Sequence, residues 1–199
     1  MTSGGVTTTT QYAYDMANPA KAGALGTSGS DIWGVFTSGS LTSRQLQGDQ
    51  IDQHLAFIQS STAYWYLTDR LGSTRAVINN SGAVQDALAY DAFGNITYQT
   101  PSPSVTPLYF WTGRETDVET GLQYNRARYY DPETGRWFSQ DPLGFDAGDS
   151  NLYRYVKNAP VNASDPSGLL PWPDGNYGSA DSPGPFQRSL RKRWKLPGE

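Results

Sequence analysis

The feature that most constrains the fold is a turn signal that keeps interrupting aromatic, alternating sequence. Between Tyr64 and Gln140, glycine stands at 72, 82, 94, 113, 121 and 135, which works against any long helix because glycine gives up the most backbone freedom there. Tyr66, Tyr90, Tyr109 and Tyr130 recur at intervals of 24, 19 and 21 residues, and two of them head Tyr-Asp pairs, Tyr90-Asp91 and Tyr130-Asp131. Units of this size are too small to bury their own faces and must stack as repeats. Asn79-Asn80-Ser81-Gly82 separates two strand-like runs, Thr74–Ile78 and Ala83–Tyr90, with residues that tolerate left-handed backbone. Asp117–Gly121 and Asp131–Gly135 share the pattern D-x-E-T-G, which fits a type I turn closed by a bulge. Residues 64–140 are therefore expected to form a mainly antiparallel β-meander of hairpins with turns at 79–82, 117–121 and 131–135.

Composition supports an all-β, loop-rich chain. Tyrosine (13) outnumbers phenylalanine (7) and tryptophan (6), as suits half-buried strands whose rings pack while their polar tips reach water. A net charge of −4 disfavours a nucleic-acid partner, which calls for a basic face. With no cysteine and one histidine, neither a disulfide framework nor a thiolate nucleophile is available. No run approaches a membrane span, and the polar start MTSGGVTTTTQ lacks the basic end and apolar stretch of a signal peptide. Thr7–Asp15 has the makings of one strand, but ANPAKAGALGTSGSD after it reads as linker, so residues 1–43 are expected to be weakly ordered. His54, beside Asp52 in QIDQHLAFI, reads as a strand-edge residue without a chemical role.

Downstream of the meander one phrase is said twice. Asp141-Pro142 with Gly144 and Phe145 opens a segment, and Asp165-Pro166 with Gly168 and Leu169 closes it. Asp before Pro with Gly two further on is turn chemistry. Between the two, Ser150 can cap a short helix whose Leu152, Tyr155 and Val156 fall at i, i+3 and i+4 and which Ala159-Pro160 stops. A short helix flanked by loops folds back and brings Asp165 toward Asp141. Two readings compete. Either both aspartates are solvated turn formers, or they are a close pair that cannot both ionise, so that one serves as acid while the other activates water. Burial beside Phe138, Phe145 and Tyr155 would favour the second. Arg126 and Arg128 alternate along what reads as one strand face, covering tyrosine rings from the solvent side; the competing reading gives them a direct hand in the aspartates' ionisation. Asp141, Asp146 and Asp149 offer oxygen ligands but miss the EF-hand spacing, and no metal or cofactor is assigned.

The run RARYYDPETGRWFSQDPLGF, continued by NLYRYVKNAPVNASDPSGL (Arg126 to Leu169), resembles the core-associated segment that ends the shells of RHS and YD-repeat proteins. The likeness reaches back to Arg44, so that 44–169 resembles an RHS repeat-associated core domain between an N-terminal segment, 1–43, and a short variable tail, 170–199. Two departures are Phe145 for a leucine and Asn158-Ala159-Pro160 for Asn-Asn-Pro. The resemblance implies a cocoon of β-strands around a C-terminal cargo, toxin-like in the family. It also implies single-turnover self-cleavage between Leu169 and Leu170 by Asp141 and Asp165, with Arg154 as a supporting charge and Pro142, Gly144, Pro166 and Gly168 framing the motif. The chain's own tail is then the substrate, and a secreted or cell-surface setting follows from the same likeness.

The tail itself is Pro/Gly/Ser-rich as far as Gln187, with Trp172 available to dock back on the sheet. It then turns basic at Arg188, Arg191, Lys192, Arg193 and Lys195, a solvated end or an anion-binding one. Thirty residues follow Leu169, fewer than the roughly 40 at which a domain folds unaided, so a full cargo is not expected within them. A different class of function remains open, a structural or carbohydrate-binding β module whose aromatic rings face sugars. A short stack of hairpins also leaves open sheet edges, so self-association or a larger shell is expected.

Overall fold

The structure is a computed structural model that describes residues 8–15 and 31–169 together with the backbone of 172–173. Eight strands follow one another in a single antiparallel sheet in chain order: β1 (Thr10–Asp15), β2 (Asp31–Thr37), β3 (Ser40–Gln47), β4 (His54–Gln59), β5 (Thr62–Thr68), β6 (Thr74–Asn79), β7 (Val84–Tyr90) and β8 (Ile96–Gln99). After residues 100–114, four short strands make a second sheet in the order β12-β11-β10-β9: β9 (Glu115–Thr116), β10 (Gln123–Asn125), β11 (Arg128–Asp131) and β12 (Arg136–Trp137). A last pair, β13 (Ala163–Ser164) and β14 (Trp172–Pro173), brings the tail back beside the strand that leads into Asp165. The expected mainly-β architecture is the one adopted, divided between two main sheets rather than continuous from 64 to 140.

Most hairpin tips are built by one device. Asp69, Asn79, Asp91, Asp117 and Asp131 each turn a side-chain Oδ1 back to accept the backbone N–H two residues on. This explains the Tyr-Asp pairs: the ring ends the strand on the packed side, and the next carboxylate starts the turn. The turns at 79–82, 117–121 and 131–135 close with Gly82, Gly121 and Gly135 N–H groups donating to the carbonyls of Asn79, Asp117 and Asp131. Bulges then recur along the large sheet, between Leu46 and Gln47, Leu67 and Thr68, Val77 and Ile78, and Ala89 and Tyr90. Each adds one unpaired residue and increases the local twist.

Two aromatic clusters hold the layers together. Phe57, Tyr66 and Val77 of the large sheet bury against Val105 and Tyr109. Trp111, Tyr130, Trp137, Tyr155, Val156 and Ala163 form the second cluster beneath the small sheet, with Tyr130 and Tyr155 ring centres 4.3 Å apart. Trp137 of this second cluster lies beneath Arg128, which meets the aspartates of both Asp-Pro turns.

Three expectations are corrected. Residues 31–43 form β2 and the start of β3 rather than a weakly ordered segment, while β1 falls within the stretch Thr7–Asp15 read as one strand: the Ser/Thr-rich composition reads as linker, but backbone pairing and the buried Ile32 suffice for strands. The short helix after Ser150 does not form. Asn151 and Tyr153 N–H groups are drawn into turns by Asp149 and Asn151, Arg154 bridges Arg136, and Val156, Lys157 and Asn158 all have positive φ, a left-handed turn that no α-helix continues. Arg126 and Arg128 do not share a strand face, because Arg126 (φ 60°) lies in the tight turn joining β10 to β11. Among the described residues, no helix is long and apolar enough to cross a membrane. The basic stretch 188–195 lies outside them.

Candidate functional site

Arg128 stands between the two aspartates. Its Nη2 lies 2.8 Å from Asp141 Oδ2 and 3.8 Å from Asp165 Oδ2, so those two oxygens are no further apart than the two distances laid end to end. The guanidinium lies over Trp137, 4.1 Å from the ring centre. Its Nε donates to the Gly168 carbonyl and its Nη1 to the Leu152 carbonyl. Burial lowers its pKa, an effect the two carboxylates only partly offset, yet a guanidinium remains charged at any pH at which a protein stays folded.

Each aspartate spends one carboxylate oxygen on its own turn and turns the other toward Arg128. Asp141 Oδ1 accepts the Leu143 N–H at 2.8 Å, while Gly144 N–H closes the turn on the Asp141 carbonyl. Asp165 Oδ1 accepts the N–H groups of Ser167, Gly168 and Leu169 and the Ser167 hydroxyl. Oδ2 of each faces Arg128. Neither carboxylate is solvated, since Asp165 is 2% and Asp141 9% exposed. A cavity of about 30 Å³, lined by Arg128, Asp141, Asp165, Leu169, Arg154 and Lys157, is large enough for a water molecule.

The remaining expected residues divide. Pro166 and Gly168 are buried in the loop, whereas Pro142 is exposed. Leu169 is half-buried with its N–H held by Asp165 and Ser167, and Leu170 lies outside the described residues. Arg154 borders the cavity, but its Nη2 pairs with Asp149 at 2.6 Å, so it stands next to the acids without bridging them. Phe138 (69% exposed) and Phe145 (72% exposed) point to solvent and do not cover the pair; of the three expected aromatics only Tyr155 is buried. Arg128, read from sequence as one of two alternating arginines, is the charge that bridges the pair. The signal lay in its i, i+2 relation to Tyr130, a core tyrosine, which put it on the inner face.

A second ionic cluster adjoins the first. Asp52 accepts Arg114 Nη1 at 2.8 Å and Arg126 Nη2 at 2.6 Å. His54 is not at an edge: it is buried in the interior strand β4, stacked on Tyr109 with ring centres 3.4 Å apart, and its Nε2 donates to the Gly113 carbonyl at 2.7 Å. Burial is the largest single influence on the Asp52 carboxyl and pushes it up, but Arg114 and Arg126 together outweigh it and hold it at about 2. Its folded value lies below the ordinary one of about 3.9, so Asp52 adds stability at neutral pH that is lost as pH falls from about 4 toward 2. The gap is worth about 2–3 kcal/mol. Asp52→Asn should therefore be less stable at pH 7 and show a shallower decline between pH 4 and 2 in urea unfolding; parallel declines would contradict the ion pairing.

Residues 41–161 match the family model of the teneurin YD-shell. The chain belongs to the teneurin YD-shell family. This YD-shell chain is 35% identical over 135 residues to the uncharacterized protein YibJ of Escherichia coli K12, covering 68% of the chain and 56% of YibJ. It is 33% identical over 190 residues to the tRNA3(Ser)-specific nuclease WapA of Bacillus spizizenii, covering 94% of the chain and 8% of WapA. Toxin protein Tse5 of Pseudomonas aeruginosa is 40% identical over 106 residues, 53% of the chain and 8% of Tse5. Among solved structures, the crystal structure of TcdB2-TccC3-TEV superposes with a TM-score of 0.58 at 25% identity, over 68% of the chain and 7% of that one. The YD-shell chain thus spans little more than half of YibJ and less than a tenth of the larger proteins.

Proposed function

We propose that this chain closes a YD-repeat shell and that Asp141 and Asp165 hydrolyse the Leu169–Leu170 peptide bond once per molecule, freeing the residues beyond it. The observation that carries the reading is a single side chain, Arg128, which pairs with both carboxylates while donating to the Gly168 carbonyl, one residue before the bond. Two carboxylates and one guanidinium enclosed together are electrically neutral when the acids share one proton, the state that is cheapest to bury and the one hydrolysis needs. In the reaction, one carboxylate takes a proton from a water whose oxygen adds to the Leu169 carbonyl carbon. The protonated partner delivers its proton to the Leu170 nitrogen as the C–N bond breaks, so that one water is consumed and a carboxylate and an amine result.

By likeness to WapA and Tse5, the cargo of the full protein is toxin-like, and the shell works outside the cell that makes it. The large sheet ends on β1 and β8, where further shell strands or a second copy would add. The chain alone should therefore gain mass with concentration in light scattering; a constant monomer mass would count against open edges. For the chemistry, Asp141→Asn and Asp165→Asn should each keep the β-sheet circular dichroism spectrum and slow formation of the 170–199 piece by about a hundredfold or more. Cleavage that survives both substitutions would leave the aspartates as turn residues only.

A further inference from the structure

The loop that precedes the proposed bond is held in a regular way. Four consecutive residues, Asn125 to Arg128, donate to four consecutive carbonyls, 165 to 168, in step. Asn125 Nδ2 donates to the Asp165 carbonyl at 2.8 Å, Arg126 Nη1 to that of Pro166, the Ala127 N–H to that of Ser167 at 3.1 Å, and Arg128 Nε to that of Gly168. Every acceptor is main chain. The Leu169 carbonyl is the first one past the end of this ladder. We infer that residues 125–128 form a backbone clamp that sets which peptide bond is cut, by counting along the main chain and not by reading the side chains of Leu169 and Leu170. The inference rests on the self-cleavage reading above.

Asp52 is the clamp's support from the opposite side. Its carboxylate engages both Arg126 nitrogens, Nη2 at 2.6 Å and Nη1 at 3.3 Å, and so aims Nη1 at the Pro166 carbonyl. It is itself fixed by Arg114, whose Nε donates to the Tyr124 carbonyl at 3.0 Å on the strand that leads into the clamp. Asp52 lies in the connection between β3 and β4, so this contact also ties the large sheet to the loop. A guanidinium placed by one carboxylate loses little further freedom when it binds a carbonyl, and that gives a long side chain its precision as a positioning group. Asp52 and Arg126 act through the loop and do not touch the bond; they are positioning residues.

The test uses the full chain in two arms. In the first, one alanine is inserted between Gly168 and Leu169 and the fragment masses are measured. The clamp predicts a cut after the inserted alanine, one residue past Gly168, so that the C-terminal piece begins with the original Leu169. A cut that stays between the two leucines would overturn it. In the second arm, amide exchange is followed in the uncleaved Asp141→Asn protein with and without Asp52→Asn. The Gly168 and Leu169 amides should exchange at least about tenfold faster when Asp52 is lost, while those of β6 and β7 are unchanged. Equal exchange at Gly168 and Leu169 would overturn the clamp even if the unmodified chain cuts itself. A chain that never cuts while exchange responds as expected would remove the self-cleavage reading, and with it any part for the clamp in choosing a bond.

Discussion

Replacing Arg128 by methionine is expected to lower folding stability by about 3–5 kcal/mol, the cost of stranding buried carboxylates without their cation. Methionine keeps most of the length that packs on Trp137, so the loss reports charge and hydrogen bonds more than volume. Three sets of contacts disappear together: the pairing with Asp141 and Asp165, the bond to the Leu152 carbonyl and the bond to the Gly168 carbonyl. Combining Arg128→Met with Asp141→Asn and Asp165→Asn should recover part of the loss, because neutral amides are cheaper to leave buried than unpaired charges. Urea unfolding of the four proteins measures this cycle. A loss below about 1 kcal/mol, the value typical of exposed ion pairs, would mean that the aspartates are solvated.

The second large effect is expected at Gly168. Its φ is +71°, and a Cβ built there would lie 2.4 Å from the Asn125 carbonyl oxygen and 2.9 Å from the Arg128 nitrogen, both of them backbone atoms. Alanine thus meets two penalties, the left-handed conformation, worth about 1 kcal/mol, and a collision that is relieved only if the loop leaves the clamp. Gly144→Ala separates them. Gly144 also has positive φ, +57°, but nothing lies within 4 Å of its Cβ position, so only the conformational cost applies. The expectation is about 1 kcal/mol lost at Gly144 and about 2–4 kcal/mol at Gly168, with self-cleavage lost only in the second. Equal effects at the two glycines would show that the loop is not pressed against residues 125–128.

What could be read from the sequence was local. Turns at Asn79, Asp117 and Asp131 were legible because the side chain that makes each turn stands within a few residues of the backbone it bonds. Asp141 and Asp165 were legible as a repeated phrase. The charge that joins them was not, because Arg128 meets partners 13 and 37 residues away and only the fold makes that meeting. Bulges add to the difficulty, since each reverses the in-and-out alternation on which a strand reading depends. His54 was missed for the same reason as Arg128, since the ring it stacks on, Tyr109, stands far along the chain. Arg154 stands between the two aspartates in sequence but spends its charge on Asp149. The left-handed turn at 156–158 has no helix-breaking residue to announce it, as Val156, Lys157 and Asn158 all adopt positive φ under tertiary constraint.

The most direct test of the account is the intact mass of the purified full chain, taken under denaturing conditions over a time course. Denaturation matters because β13 and β14 pair Ser164 with Trp172 and Ala163 with Pro173, contacts that would keep the two pieces together after a cut. The account predicts that the full-length mass is replaced by two masses that divide the chain between Leu169 and Leu170, with the gain of one water. It also predicts that the Asp141→Asn chain keeps its full mass. A wild-type chain that stays whole under conditions where the fold is intact, or that divides at another bond, would contradict it.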